Sequence, residues 1–178
     1  MTGVFVNKLT VDRDYGFSQE RRTIKILRYT GNQLAQRDMR KLIELIYRNF
    51  ENIAQIKELT HNRYEIARLI TSPQALVLIG TIDNKIISYL IAEAKNLDAR
   101  RLMHIQYIFT SPVHRGHGVA TYMLNLMQQY ARAIGIETLS LTFDTYDKKL
   151  TKYYLDNHFE YDPELRTYQR YDMLVKYI

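Results

Sequence analysis

A chain of 178 residues suits one domain with a sizeable core, and 46% apolar with 25% charged residues is the make-up of an ordinary soluble protein. The absence of cysteine excludes disulfides, thiolate nucleophiles and thiolate metal sites, and fits a reducing, cytoplasmic setting. A formal net charge of +6 attracts anions, nucleic acid and phosphorylated small molecules alike; the basic pairs Arg21-Arg22, Arg100-Arg101 and Lys148-Lys149 are scattered, as on a solvated basic surface, whereas a dedicated nucleic-acid binder more often gathers them on one helix or loop.

Met1 to Glu20 is too polar and interrupted for a secretory signal, and no apolar run is long enough for a bilayer, so no membrane partner is expected. Residues 1–22 read as an N-terminal extension and 23–178 as the domain. Thr23–Tyr29 is predicted as a strand with Ile24 and Ile26 on one face. Leu42, Ile43, Ile46 and Phe50 recur at helical spacing, and a second helix near Asn62–Ile70 stops at Ser72-Pro73. Ala75–Ile82 and Ile86–Ala94 flank the turn Asp83-Asn84-Lys85 and form a hairpin. Leu102–Thr110 is a further strand, ended by Ser111-Pro112. A helix follows from Val119 to Ile134, with the stripe Val119, Met123, Leu126, Met127, Tyr130 and Ile134, and Gly135 closes it. Thr138–Phe143 is a strand, Lys148–Asn157 a short helix, and Phe159–Tyr161 and Tyr168–Ile178 two last strands. Met173, Val175 and Tyr177 share one face of the second of these.

Arg115-Gly116-His117-Gly118 lies between a strand and an amphipathic helix. Glycines lacking Cβ let the backbone approach an oxyanion and aim successive N–H groups at it, and the helix adds its unpaired N-terminal N–H groups and dipole. A Walker A loop would need a Gly-Lys-Ser/Thr end, which is absent. A dinucleotide-binding loop would need a third small residue where Thr121 stands, and would open the first βαβ unit, whereas here a hairpin and another strand come first.

Arg115-Gly116-His117-Gly118-Val119-Ala120 fits the Arg/Gln-x-x-Gly-x-Gly/Ala loop in full, and Ile108-Phe109-Thr110-Ser111-Pro112 resembles the strand that leads into it. In these segments, and in the order of elements on both sides, the chain resembles the GCN5-related N-acetyltransferase (GNAT) family from about residue 23 onward. The resemblance implies an α+β fold of three layers, α/β/α, around a mixed, mainly antiparallel sheet. It implies that the strands ending near Thr110 and Phe143 run parallel and splay. Acetyl-CoA or CoA would then be held by Ile108, Phe109 and Thr110 along the pantetheine and by Arg115, Gly116, His117, Gly118, Val119, Ala120 and Thr121 around the pyrophosphate, with no metal. The acceptor is an amine of a small molecule or a protein, and a homodimer stays open.

Tyr153-Tyr154-Leu155-Asp156-Asn157-His158-Phe159 resembles the family's Phe-Tyr-x-x-x-Gly-Phe segment, which assigns Tyr154 the role of acid toward the departing thiolate. His158 stands in the glycine position, so a differently built turn is expected, and Asp147 stands where an Asn near the coenzyme is common. The family's strand glutamate, a frequent base, is matched by Gln106, which cannot take a proton. His104, on the same strand face as Gln106 with Tyr107 on the other, and Glu93 are the remaining candidates, and neither is chosen. His61, His104, His114, His117 and His158 show no metal-ligand spacing, and no Gly-x-Ser-x-Gly elbow occurs. The alternative reading is a non-catalytic module on the same fold that binds acyl-CoA or a partner protein.

Overall fold

Ala75–Ile82 is apolar at nearly every step because it is covered on both sides, with Leu76 and Leu78 in one buried cluster and Val77 and Ile79 in another. It lies inside the sheet of the computed structural model, which describes residues 5–14, 19–30, 34, 36–52, 61–97 and 99–178. The elements run in the order β1 (Phe5–Asp14), β2 (Gln19–Thr30), α1 (Gln36–Asn49), α2 (Arg63–Ile70), β3 (Ala75–Ile82), β4 (Lys85–Leu97), β5 (Arg100–Thr110), α3 (Val119–Ala133), β6 (Thr138–Asp144), α4 (Lys148–Asp156) and β7 (Tyr171–Tyr177). Among the described residues the strands form one sheet in chain order, antiparallel at every pairing but β5–β6. That pair is parallel because a helix, α3, carries the chain back between the two strands.

One core lies between the sheet and α3 and α4, built on Ile24, Ile26, Leu90, Met103, Met123, Met127 and Tyr154. The other lies beneath α1 and α2, built on Leu42, Ile46, Ile66, Ile70, Tyr89 and Ile91. The expected three-layer architecture with a mixed, mainly antiparallel sheet is therefore present.

Local signals fix several boundaries. Asp83 (φ +48°) and Asn84 (φ +61°) make a two-residue turn with both residues left-handed, the kind that matches strand twist. Asn62 caps α2 by accepting from the Glu65 amide at 2.9 Å. Gly135 (φ +72°) ends α3: its amide and that of Ile136 return to the carbonyls of Arg132 and Ala131. Gly80 lies under α3, where an added Cβ would stand 3.0 Å from the Met123 methyl.

Several expectations change. Residues 5–14, within the segment set apart as an extension, form edge strand β1, paired with β2 from Phe5↔Arg28 to Asp14↔Gln19. The buried face of α3 is Val119, Met123, Leu124, Met127 and Ala131, while Leu126, Tyr130 and Ile134 are only partly covered. Phe159–Tyr161 contributes one bridge, Glu160↔Val175, rather than a strand. The last strand begins at Tyr171, since Tyr168 (φ +58°) is in a left-handed turn.

Candidate functional site

Two of the glycines are placed by their backbone. Gly116 (φ +78°) and Gly118 (φ +74°) are both left-handed, and a Cβ added at either would meet nothing within 4 Å. Open space on the outer side of the loop therefore faces main chain. Gly118 is the N-cap of α3 and offers no side chain to cap it. Among the described residues, none of the backbone N–H groups from Gly116 to Thr121 has an acceptor. Successive amides at a helix start, the positive end of a 15-residue helix dipole behind them, form a concavity suited to a diphosphate.

The loop is tied down at its base. Arg115 Nε donates to the Thr110 carbonyl at 2.9 Å, and its guanidinium lies 6.0 Å from the Phe109 ring centre. The Ser111 hydroxyl and His114 Nδ1 are 2.6 Å apart, and the Ser111 amide donates to the Ile87 carbonyl. His117 is partly buried, Val119 is buried in the α3–α4 core, and Ala120 is partly covered. Thr121 Oγ1 is 3.4 Å from the Tyr153 hydroxyl, which links the first turn of α3 to α4.

The strand leading to the loop parts from its parallel neighbour. β5 and β6 pair at Met103↔Leu139, His104↔Ser140 and Ile105↔Leu141, and no further. Beyond that point residues 106–110 and 142–144 run on without cross-pairing, so facing backbone groups of both strands are left for another partner. The cause lies on the other side of β5, where Ile91 pairs with Tyr107 and Ala92 with Ile105. Gln106 is thus an extra residue, a β-bulge that raises the local twist. The bulge corrects one expectation. Tyr107 does not turn away from the His104 face: it packs with Phe109 in the α1–α2 core, while Ile108 packs on the α3–α4 side. The Thr110 hydroxyl is engaged with Ser88 Oγ at 2.9 Å, and its carbonyl is the one that accepts from Arg115 Nε.

Tyr154 is 4% exposed in the α3–α4 core, with ring centres of Phe143 at 6.4 Å, Tyr153 at 5.3 Å and Phe159 at 5.7 Å. Phe143 belongs to the unpaired end of β6, so Tyr154 packs against a residue of the strand that flanks the gap. Its hydroxyl makes no hydrogen bond to a described residue. Burial pushes this phenol well above its ordinary pKa, with Tyr153 adding, so the hydroxyl stays protonated throughout the neutral range. Asp147 is the N-cap of α4, its Oδ1 accepting from the Leu150 amide at 2.9 Å, which turns the carboxylate to the helix start. His158 adopts φ +64° itself, so the turn after α4 keeps a left-handed residue, with a histidine carrying the strain that glycine would avoid.

Of the base candidates, Glu93 pairs with Lys95 at 3.8 Å. His104 Nδ1 is 2.9 Å from Ser140 Oγ, and burial, with the Lys95 charge adding, pushes the imidazole down to about 4. It is neutral at pH 7 and a weak base. The sequence did not point to a second histidine network under α1 and α2. His61 is 5% exposed; its Nε2 donates to the Tyr47 carbonyl at 3.1 Å, which leaves Nδ1 to accept from the Tyr107 hydroxyl at 3.0 Å. Asn49 Nδ2 donates to the Tyr89 hydroxyl at 3.1 Å nearby. No sequence spacing links these residues; only the fold does. Among the described residues no three metal-binding side chains are gathered, and no helix is long and apolar enough to cross a membrane.

Comparison with known proteins gives the same outline. The profile of the acetyltransferase (GNAT) family matches residues 29–159. The GNAT domain of S. lividans PAT superposes with a TM-score of 0.68 at 15% identity, over 97% of each chain. The PaiA N-acetyltransferase of Thermoplasma acidophilum, solved with coenzyme A, gives 0.64 at 16% identity over 87% of this chain and 99% of its own. NAA60 of Arabidopsis thaliana, solved with acetyl-CoA, gives 0.63 at 14% identity over 86% and 98%. At such identities the likeness is one of fold. No curated protein sequence matches the chain.

Proposed function

We propose, from the premise that the chain belongs to the acetyltransferase (GNAT) family, that it moves an acetyl group from acetyl-CoA to a primary amine of a small molecule, polyamine or protein by direct attack. The observation that carries this reading is the row of amides from Gly116 to Thr121, without acceptors among the described residues, beside a parallel strand pair that separates after Ile105 and Leu141. The diphosphate of the coenzyme fits the amides of Gly116, His117, Gly118, Val119, Ala120 and Thr121, with Arg115 holding the loop to Thr110. The pantetheine fits the gap beside Ile108, Phe109 and Thr110, where the backbone of Ile108 is left for its amides while the Phe109 and Thr110 carbonyls accept from Ser88 Oγ and Arg115 Nε.

In the reaction the amine nitrogen bonds to the acetyl carbon and the carbon–sulfur bond breaks. Unpaired N–H groups beyond the bulge stabilise the oxygen as it gains charge. Tyr154, protonated at neutral pH and packed against Phe143 of the strand that flanks the gap, gives its proton to the thiolate and regains one from the acylated nitrogen through water. The test is thiol release from acetyl-CoA across a panel of small amines, polyamines and peptides. Acetyl-dependent release with at least one amine class is expected. Tight CoA binding with no release for any amine would replace this reading by the non-catalytic acyl-CoA-binding or protein-interaction module, for which Gln106 in the bulge is the supporting observation.

A further inference from the structure

In acetyl transfer the incoming amine must first lose a proton: an alkylammonium group has a pKa near about 10.4 and cannot attack as it stands. Gln106 cannot take that proton, Glu93 is paired with Lys95, and His104 is a weak base. The gap between β5 and β6 has two faces. On the α3–α4 face Phe143 and Tyr154 are packed into the core. On the opposite face Thr142 is exposed, between the buried Leu141 and Phe143, and Tyr107 and Phe109 are only partly covered. A thioester lying in the gap is therefore open to an amine from the α1–α2 side. Tyr107 is the first titratable side chain of β5 beyond the bulge on that side.

The hydrogen bonds of this phenol have a fixed direction. His61 Nε2 donates to the Tyr47 carbonyl at 3.1 Å, so Nδ1 is left as an acceptor. The Tyr107 hydroxyl donates to that Nδ1, 3.0 Å away, and its oxygen makes no other hydrogen bond to a described residue. With its proton committed to the imidazole, the oxygen can only accept, and what it recognises is an N–H donor. Burial, with the Glu65 charge adding, holds the Tyr107 phenol above its ordinary pKa, so it passes protons on rather than losing its own. The His61 ring stacks on that of Tyr47, with centres 5.5 Å apart and planes within 2°. A phenol face stabilises an imidazolium, and imidazole is the side chain suited to take up and return a proton near neutral pH. Other charged and titratable groups around the pair are engaged: Arg63 stacks on Tyr47 and is paired with Glu44, and the Tyr89 hydroxyl accepts from Asn49.

We infer, on the acetyl-transfer reading, that Tyr107 takes the proton of the incoming amine and that His61 receives it, a phenol–imidazole relay on the acceptor side of the gap. The ammonium donates to Tyr107 Oη as the phenolic proton crosses to His61 Nδ1. The amine becomes neutral, the phenol is re-formed and His61 becomes an imidazolium. The amine nitrogen then bonds to the acetyl carbon and the carbon–sulfur bond breaks, with Tyr154 protonating the sulfur and recovering its proton from the acylated nitrogen. The imidazolium returns its proton through Tyr107 to solvent, which is the one proton the net reaction of an ammonium with a thioester releases. Tyr107 touches the amine, and His61 acts only through Tyr107.

The test follows kcat/KM of the full chain from about pH 6 to about pH 9.5, with the alkylamine acetylated fastest in the thiol-release panel. Tyr107→Phe keeps the ring against Phe50, 5.1 Å between centres, and removes the relaying oxygen. It should lose about 100-fold at pH 7 with CoA affinity unchanged. The loss should shrink to less than about tenfold by pH 9.5, because free amine is then present without help. His61→Gln leaves the phenol an acceptor that cannot take a proton, and should show the same pH-dependent loss. Should His61→Gln fail to fold, the Tyr107→Phe profile decides alone. No loss in Tyr107→Phe, or a loss of the same size at every pH, which is the mark of packing alone, overturns the relay. A pH-dependent loss in His104→Gln with Tyr107→Phe unaffected would make His104 the base and overturn it as well. A wild type that acetylates no amine removes acetyl transfer and the relay together, whereas an active wild type matched by Tyr107→Phe removes only the relay.

Discussion

Gly118 offers a perturbation in which folding and binding separate. At φ +74° any residue with a Cβ is strained by about 1–2 kcal/mol, and since nothing lies within 4 Å of an added Cβ no steric cost follows. Gly118→Ala and Gly118→Glu should therefore lose the same stability, within a few tenths of a kcal/mol. Their coenzyme binding should differ greatly. A carboxylate about 5 Å from one phosphate charge at an effective dielectric constant of about 20 costs roughly 3 kcal/mol. That corresponds to about a 200-fold weaker Kd, and the second phosphate adds to it. The alanine variant keeps its amides and places only a methyl beside them, so it should lose far less affinity. Urea unfolding gives the stabilities, and calorimetric titration with CoA gives the affinities. If Gly118→Glu bound CoA as the wild type does while matching Gly118→Ala in stability, the diphosphate would not lie on this loop.

Other consequences are as specific. Tyr154→Phe keeps the ring contacts and removes a hydroxyl without a described partner, so stability and CoA affinity should hold while kcat falls roughly 100-fold; an unchanged kcat removes the acid role. His158→Gly should raise stability by about 1 kcal/mol by relieving a left-handed histidine, and chemical denaturation that shows no gain would contradict the strain. His104 has a folded pKa near 4, below its unfolded value of about 6.5. The unfolded state takes up the proton first, so stability is full above about pH 6.5 and falls as pH drops toward 4, by up to about 3 kcal/mol. In His104→Gln that loss between pH 6.5 and 4 should be much smaller, as followed by urea midpoints, and an identical pH profile in both proteins would refute it.

The sequence by itself determined what depends on a few adjacent residues. The turn at Asp83-Asn84, the Gly135 helix end, the continuous apolar run of β3 and the Arg115–Ala120 loop are local matters of φ and periodicity, and each lies where local chemistry put it. Edge strand β1 was not legible, because an edge buries little: Val6 is 54% exposed, so its alternation carries a weak signal. The rest was decided only by tertiary structure. Whether Gln106 is paired or bulged depends on the register of β4, and that one residue sets the face of Tyr107 and the parting of β5 from β6. The bond from Tyr107 to His61 spans 46 residues. Side-chain direction in a sheet is a property of the neighbouring strand as much as of the residue, and contacts made across such distances leave no period in the chain.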